Sequence, residues 1–160
     1  MKIINIYTDG SAKGNPGPGG YGIVLSHNKI KKELSEGFKL TTNNRMELLA
    51  VIIGLESIKE TGYKIIIYSD SKYVVDAVNK KWVFNWEKIN YKKKKNSDLW
   101  KRFLKIYRMH QVVFKWIKGH AGHPQNERCD QLAVQASLNK DLKTDTGYEL
   151  SLSSSSTLFD

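Results

Sequence analysis

Two segments of this chain end in the same way, and together they restrict its topology more than any other feature. Lys2-Ile3-Ile4-Asn5-Ile6-Tyr7-Thr8-Asp9-Gly10-Ser11 and Lys64-Ile65-Ile66-Ile67-Tyr68-Ser69-Asp70-Ser71 are apolar runs that each deliver an aspartate and then a serine within two residues. Each reads as a strand buried on both faces in the middle of a sheet. A helical stretch, roughly Arg45 to Lys59, lies between them. Strand, helix, strand implies a right-handed crossover and parallel pairing. Asp9 and Asp70 then stand side by side, and two such carboxylates repel each other in the absence of a cation.

After Asp9 the first strand breaks into Gly10-Ser11-Ala12-Lys13-Gly14-Asn15-Pro16-Gly17-Pro18-Gly19-Gly20, backbone with few Cβ atoms that suits a large polar ligand. An Asp-Gly turn alone would give the same start. Tyr21 to Ser26 and Ile30 to Phe38 read as second and third strands, and connections this short imply antiparallel pairing with the first. Gly17 to Gly22 matches G-x-G-x-x-G, but the glycines run into a strand instead of opening a helix, and no Walker lysine follows. Both phosphate-loop readings are rejected.

Thr41-Thr42-Asn43-Asn44 offers several caps for the long helix, whose apolar residues wrap most of its circumference. Glu47 lines up with Val51, Gly54 and Ile58 on an otherwise apolar face. A buried carboxylate needs a cation or a hydrogen-bond cluster; a plain first-turn acid favoured by the helix dipole is the alternative. Further on come helices from Ser71 to Val78, Trp82 to Lys88 and Ser97-Asp98 to Met109, a strand from Val112 to Ile117, and a glycine-containing loop, Lys118 to Pro124. A last helix, Gln125 to Leu138, carries Asp130 in its second turn.

A chain of 160 residues fits one domain with a real core, assigned here to residues 1–150, and the serine-rich residues 151–160 read as a disordered tail. No apolar run is long enough for a membrane span, and the lone Cys129 suits a reducing cytosol, so the expected setting is cytoplasmic. A monomer is the default expectation. The formal charge is +10, and residues 79–108 hold eleven Lys and Arg against Glu87 and Asp98. Trp82, Trp86, Tyr91 and Trp100 are interleaved with them. Cations mixed with exposed aromatics suit a partner made of phosphates, sugars and bases, so nucleic acid is the expected ligand.

Thr8-Asp9-Gly10-Ser11, Gly14 to Gly22, Thr41 to Leu48, Ser69-Asp70-Ser71 and Gly119 to Asp130 together resemble type 1 ribonuclease H, from Lys2 to about Leu150. The resemblance implies an α/β fold with a five-stranded mixed sheet in the order 3-2-1-4-5, strands 1–3 antiparallel and helices on both faces. It implies endonucleolytic hydrolysis of the RNA strand of an RNA–DNA hybrid, leaving 3′-hydroxyl and 5′-phosphate ends. Asp9, Glu47, Asp70 and Asp130 occupy the positions of the family's metal-binding carboxylates, and His120 that of its mobile catalytic histidine.

A phosphodiester is anionic, and two Mg²⁺ ions about 3.5–4 Å apart can activate water and neutralise the leaving oxygen. Four carboxylates without a cysteine ligand suit Mg²⁺, with Mn²⁺ as a substitute. The expected division has Asp9 bridging the ions, Glu47 and Asp70 holding one, Asp130 the other, and His120 moving protons or releasing product. By resemblance, Gly10, Ser11, Asn15, Asn43 and Asn44 contact the RNA strand and Thr42 a DNA phosphate. Trp82 and Trp86 line the DNA channel, and Lys92, Lys93, Lys94 and Lys95 belong to a basic protrusion over residues 79–96. Lys72 stands where the family commonly has Gln and is counted with the substrate contacts. A zinc site built on His120, His123 and Cys129 lacks a fourth ligand of the usual kind. The competing classes are a catalytically silent hybrid-binding module and a transposase- or integrase-like nuclease.

Overall fold

The computed structural model describes residues 2–119 and 122–157, with side chains through 153. Its sheet has five strands in the order β3-β2-β1-β4-β5. They are β1 (Lys2–Ala12), β2 (Gly17–His27), β3 (Ile30–Thr41), β4 (Tyr63–Ser69) and β5 (Gln111–Trp116). β1, β2 and β3 pair antiparallel, while β4 joins β1 and β5 joins β4 in parallel. The crossover between β1 and β4 runs through α1 (Asn43–Glu56), as the paired strand–acid pattern requires.

α1 lies on one face of the sheet, where its Gly54 meets Ile6 and Ile23. Met46, Leu48, Val51, Ile52 and Leu55 are fully buried there, together with Ile65 and Ile67 of β4. α2 (Lys72–Asn79), α3 (Trp82–Lys88) and α4 (Ser97–Tyr107) continue this layer, and Trp100 and Phe103 of α4 are fully buried in it. α5 (Pro124–Ser137) covers the opposite face over β1, β2 and β3. Val24, Cys129 and Leu132 form a smaller apolar cluster beneath it.

Buried Arg45 of α1 ties distant parts of the chain together. Its guanidinium donates to Asp145 (Nε to Oδ2, 2.8 Å; Nη2 to Oδ1, 2.9 Å) and to Asp98 of α4 (Nη1 to Oδ1, 2.9 Å; Nη2 to Oδ2, 2.7 Å). Thr41 at the end of β3 donates to the same Asp145 at 2.7 Å. Residue 143 forms a parallel bridge with Phe38, so the segment after α5 extends the sheet beyond β3.

Four expectations need correction. β1 does not break at Asp9; it stays paired with β2 to Ala12↔Gly19, because the glycines of β2 provide a partner instead of a loop. β1 is not buried on both faces: it alternates buried and half-buried residues, since α5 covers one of its faces only in part. Residues 151–157 are helical, the end of α6 (Thr146–Thr157), where a disordered tail is expected, and 158–160 lie outside the described residues; Asp145 stands just before the helix, where its backbone and side chain accept from Glu149 and Tyr148. Of the aromatics in the basic segment, only Trp82 is strongly exposed, at 43 %. Trp100 is buried with its indole N–H donated to Tyr73 Oη at 2.9 Å, and Tyr91 is buried as well.

Candidate active site

The parallel ladder between β1 and β4 ends at Tyr7↔Tyr68, and Asp9 and Asp70 each follow two residues later. α1 brings Glu47 to them because Gly10 has no side chain. A Cβ at Gly10 would lie 2.6 Å from the Glu47 amide nitrogen and closer still to Met46, so any other residue would push the helix away. Carboxylate oxygens of Asp9, Glu47 and Asp70 lie within 4.8 Å of one another, the one group of potential metal-binding side chains found among the described residues.

Burial and mutual repulsion oppose ionisation of Asp9 and Glu47. Burial, and then the neighbouring Asp70, push the Asp9 carboxyl up to about 7. Burial, then Asp9 and Asp70, raise Glu47 well above the usual carboxylate range. Glu47 Oε1 is buried with no hydrogen-bond partner. An orphaned buried oxygen beside two further carboxylates fits a hard divalent cation, which would satisfy it and relieve the repulsion.

Asp130 stands apart from this trio, although its charge reaches Asp9. α5 carries it there by close contact with β2: Gly22 pairs with Asp9, and a Cβ at Gly22 would meet Leu132 Cβ at 2.7 Å. Cys129, one residue earlier, is no metal ligand. Burial holds its thiol far above the normal range, and its Sγ–H donates to the Tyr7 carbonyl at 3.2 Å. His120 lies outside the described residues. Gly119 beside it approaches so near that a Cβ there would lie 2.7 Å from Asp70 Oδ2.

The predicted RNA contacts are linked by hydrogen bonds. The Ala12 amide donates to Asn43 Oδ1 at 2.6 Å, and the Asn43 amide to Asn15 Oδ1 at 3.0 Å. Both carboxamide oxygens thus brace the glycine-rich turn against the start of α1, which leaves the NH₂ groups for a ligand. Thr42 caps α1 by accepting from the Arg45 amide at 3.2 Å, and its hydroxyl proton can still be donated. Gly10 is buried against α1, Ser11 is half-buried and Asn44 is exposed.

The basic protrusion forms its own unit. Lys80 Nζ lies 5.2 Å from the Trp82 ring centre and Lys94 Nζ 5.1 Å from that of Trp86. Lys92, Lys93, Lys94 and Lys95 are all exposed, and among the described residues none is in an ion pair. Trp116, which no motif in the sequence singles out, donates its indole N–H to the Asp70 carbonyl at 3.1 Å. An aromatic at the end of an edge strand beside a strand-end acid is the only signal that could have found it.

A mixed sheet with this strand order, and carboxylates from β1, α1 and the turn after β4 gathered where the β1–β4 ladder stops, defines an oxygen-lined cation site on an α/β scaffold. Comparison with known proteins names the family. The family model described as RNase H matches residues 1–138. Ribonuclease H of Trichodesmium erythraeum is 53 % identical over 151 residues, covering 91 % of this chain and 96 % of the relative. Ribonuclease HI of Shewanella oneidensis is 52 % identical over 154 residues, covering 93 % and 96 %. Among solved structures, LC9-RNase H1, a type 1 RNase H with the type 2 active-site motif, superposes with a TM-score of 0.77 at 31 % identity, covering 86 % of this chain and 72 % of that one. LC11-RNase H1 in complex with RNA/DNA hybrid gives 0.65 at 30 %, covering 83 % and 95 %. The chain belongs to the ribonuclease H family, in its type 1 branch.

Proposed function

We propose that the chain is an endoribonuclease that hydrolyses the RNA strand of RNA–DNA hybrids, leaving 3′-hydroxyl and 5′-phosphate ends, with two Mg²⁺ ions as its cofactor. The observation that carries this reading is the trio Asp9, Glu47 and Asp70 with the orphaned Glu47 Oε1. When bound, the ions supply Lewis-acid activation of water and neutralise charge at the phosphate. Asp9 is the member of the trio that the charge of Asp130 reaches, which suits a ligand shared by both ions; Glu47 and Asp70 would complete one and Asp130 the other. Mn²⁺ is an acceptable substitute for the same hard oxygen set. His120, next in sequence to Gly119, would carry protons or help release product.

The substrate lies across the glycine-rich turn and the protrusion. Gly10, Ser11, Asn15, Asn43 and Asn44 read the RNA strand, whose 2′-hydroxyls distinguish it from DNA in the shallow minor groove. Thr42, at the start of α1, suits a DNA phosphate. Trp82 and Trp86 line the DNA strand's path, and Lys92 to Lys95 add sequence-independent attraction. Residues 1–150 would form the catalytic domain, with 79–96 as its substrate-binding protrusion. Among the described residues no helix is long and apolar enough to cross a membrane. We further propose a monomer in the cytoplasm, a reducing compartment that suits the lone Cys129.

The test is gel analysis of an end-labelled RNA–DNA hybrid with and without Mg²⁺. Mg²⁺-dependent nicks in the RNA strand are expected, and Asp70→Asn should abolish them. Binding without nicking would indicate a silent module, and DNA cutting a transposase-like nuclease. Full activity in Asp70→Asn overturns the assignment.

A further inference from the structure

Asp70 occupies a gap in the secondary structure. The β4–β5 ladder stops at Ser69↔Trp116, and α2 begins only at Lys72. The intervening turn still has to hold one carboxylate against Asp9 and Glu47. The Ile117 amide donates to the Ser69 carbonyl at 2.9 Å, and the Ser71 amide to Ser69 Oγ at 3.1 Å. Both fix the residues that flank Asp70. The bond to Asp70 itself comes from a side chain, the Trp116 indole N–H.

Trp116 is 44 % exposed at the end of an edge strand, so core packing does not fix its ring. A cation lies over it, with Lys72 Nζ 5.0 Å from its centre. The segment 70–72 therefore grips the indole twice, at its N–H through the Asp70 carbonyl and over its ring through the Lys72 ammonium. Among the described residues Lys72 is in no ion pair, so no carboxylate draws it off the ring.

We infer that Trp116 and Lys72 are positioning residues that hold Asp70 in place for cation binding, and that Lys72 acts through the indole, not by gripping substrate phosphate. The inference rests on the reading of Asp70 as a cation ligand.

The experiment is a calorimetric Mg²⁺ titration of the free protein without nucleic acid, paired with steady-state kinetics on a hybrid at several salt concentrations. Trp116→Phe keeps a ring under Lys72 but removes the donor, and should weaken Mg²⁺ binding about threefold to tenfold. Lys72→Met keeps the apolar stem but removes the charge, and should weaken it about twofold to fivefold. Lys72→Arg restores a cation over the ring and should restore binding. In all three the KM for hybrid and its salt dependence should match the parent. Parent-like Mg²⁺ binding in Trp116→Phe overturns the inference. So does a raised KM with a flatter salt dependence in Lys72→Met while Mg²⁺ binding is unchanged, the signature of a phosphate grip. Lys72 is exposed, so its variants report even if the Trp116 change harms folding. Asp70→Asn, titrated in parallel, should lose Mg²⁺ binding; if it binds Mg²⁺ and cleaves as the parent does, the underlying assignment falls and this inference with it.

Discussion

At Asp9, folding places a carboxyl in surroundings that favour its neutral form. Burial and the neighbouring Asp70 lift it from 3.8 to about 7. In the unfolded chain it ionises near its ordinary value, so between about pH 4 and pH 7 the folded state binds the extra proton. By linkage, this group's stabilising contribution is full below about pH 4 and is lost as pH rises to about 7. Each tenfold difference in proton affinity is worth about 1.4 kcal/mol. In chelator, Asp9→Asn should therefore melt above the parent at pH 8, with the gap closing toward pH 4, and added Mg²⁺ should raise the parent's melting temperature at pH 8. Equal melting temperatures at pH 8 would mean that Asp9 bears no such strain. Asp9 and Asp70 were legible in the sequence because each ends a buried-looking strand, and Glu47 because it interrupts an apolar helical face. Trp116 was not, because its part depends on Lys72 and Asp70 meeting it across two elements.

Among the elements, the protrusion shows what composition can and cannot say. Its charge was plain from the run Lys92 to Lys95, but which aromatics face outward was not. Tyr91 and Trp100 are buried, and the chain between α3 and α4 passes through left-handed residues, Asn90, Tyr91, Lys93 and Asn96, that no sequence pattern announces. The four lysines stay in solvent, where under the proposed function their field would act on a phosphate backbone and not on the acids assigned to the chemistry. Replacing Lys92 to Lys95 by Gln should raise KM several-fold and flatten its salt dependence, with kcat nearly unchanged, in steady-state kinetics from low to moderate salt. An unchanged KM would remove the protrusion from the substrate path. Helix ends were equally hard to read: Ser97-Asp98 suggests a cap for α4, yet the cap is Asn96, which makes no side-chain capping bond.

For the molecule as a whole, strand order was legible because handedness leaves few ways to place a strand–helix–strand unit beside a hairpin. How closely the layers approach was not legible, since that depends on which glycines face a helix: Gly10 toward α1, Gly22 toward α5. Arg45 was part of a motif, but its partners, Asp98 and Asp145, lie 53 and 100 residues away. Removing it strands Asp145, which is only 7 % exposed, without its cation. Arg45→Met should cost about 3–5 kcal/mol in urea unfolding. It should also lower activity, because Arg45 belongs to the same helix as Glu47. A loss below about 1 kcal/mol would show that the buried pair has no net worth.

The position of Asp145 also has a meaning in time. During synthesis residue 45 leaves the ribosome long before residue 145, and until then the guanidinium lacks the carboxylate that it must face in the interior. The edge of β3 likewise waits for residue 143. Residues 143 and 145 must therefore have emerged before the scaffold beneath Glu47 can settle, so a nascent chain that stops short of them would carry the acids of the site without a frame to hold them.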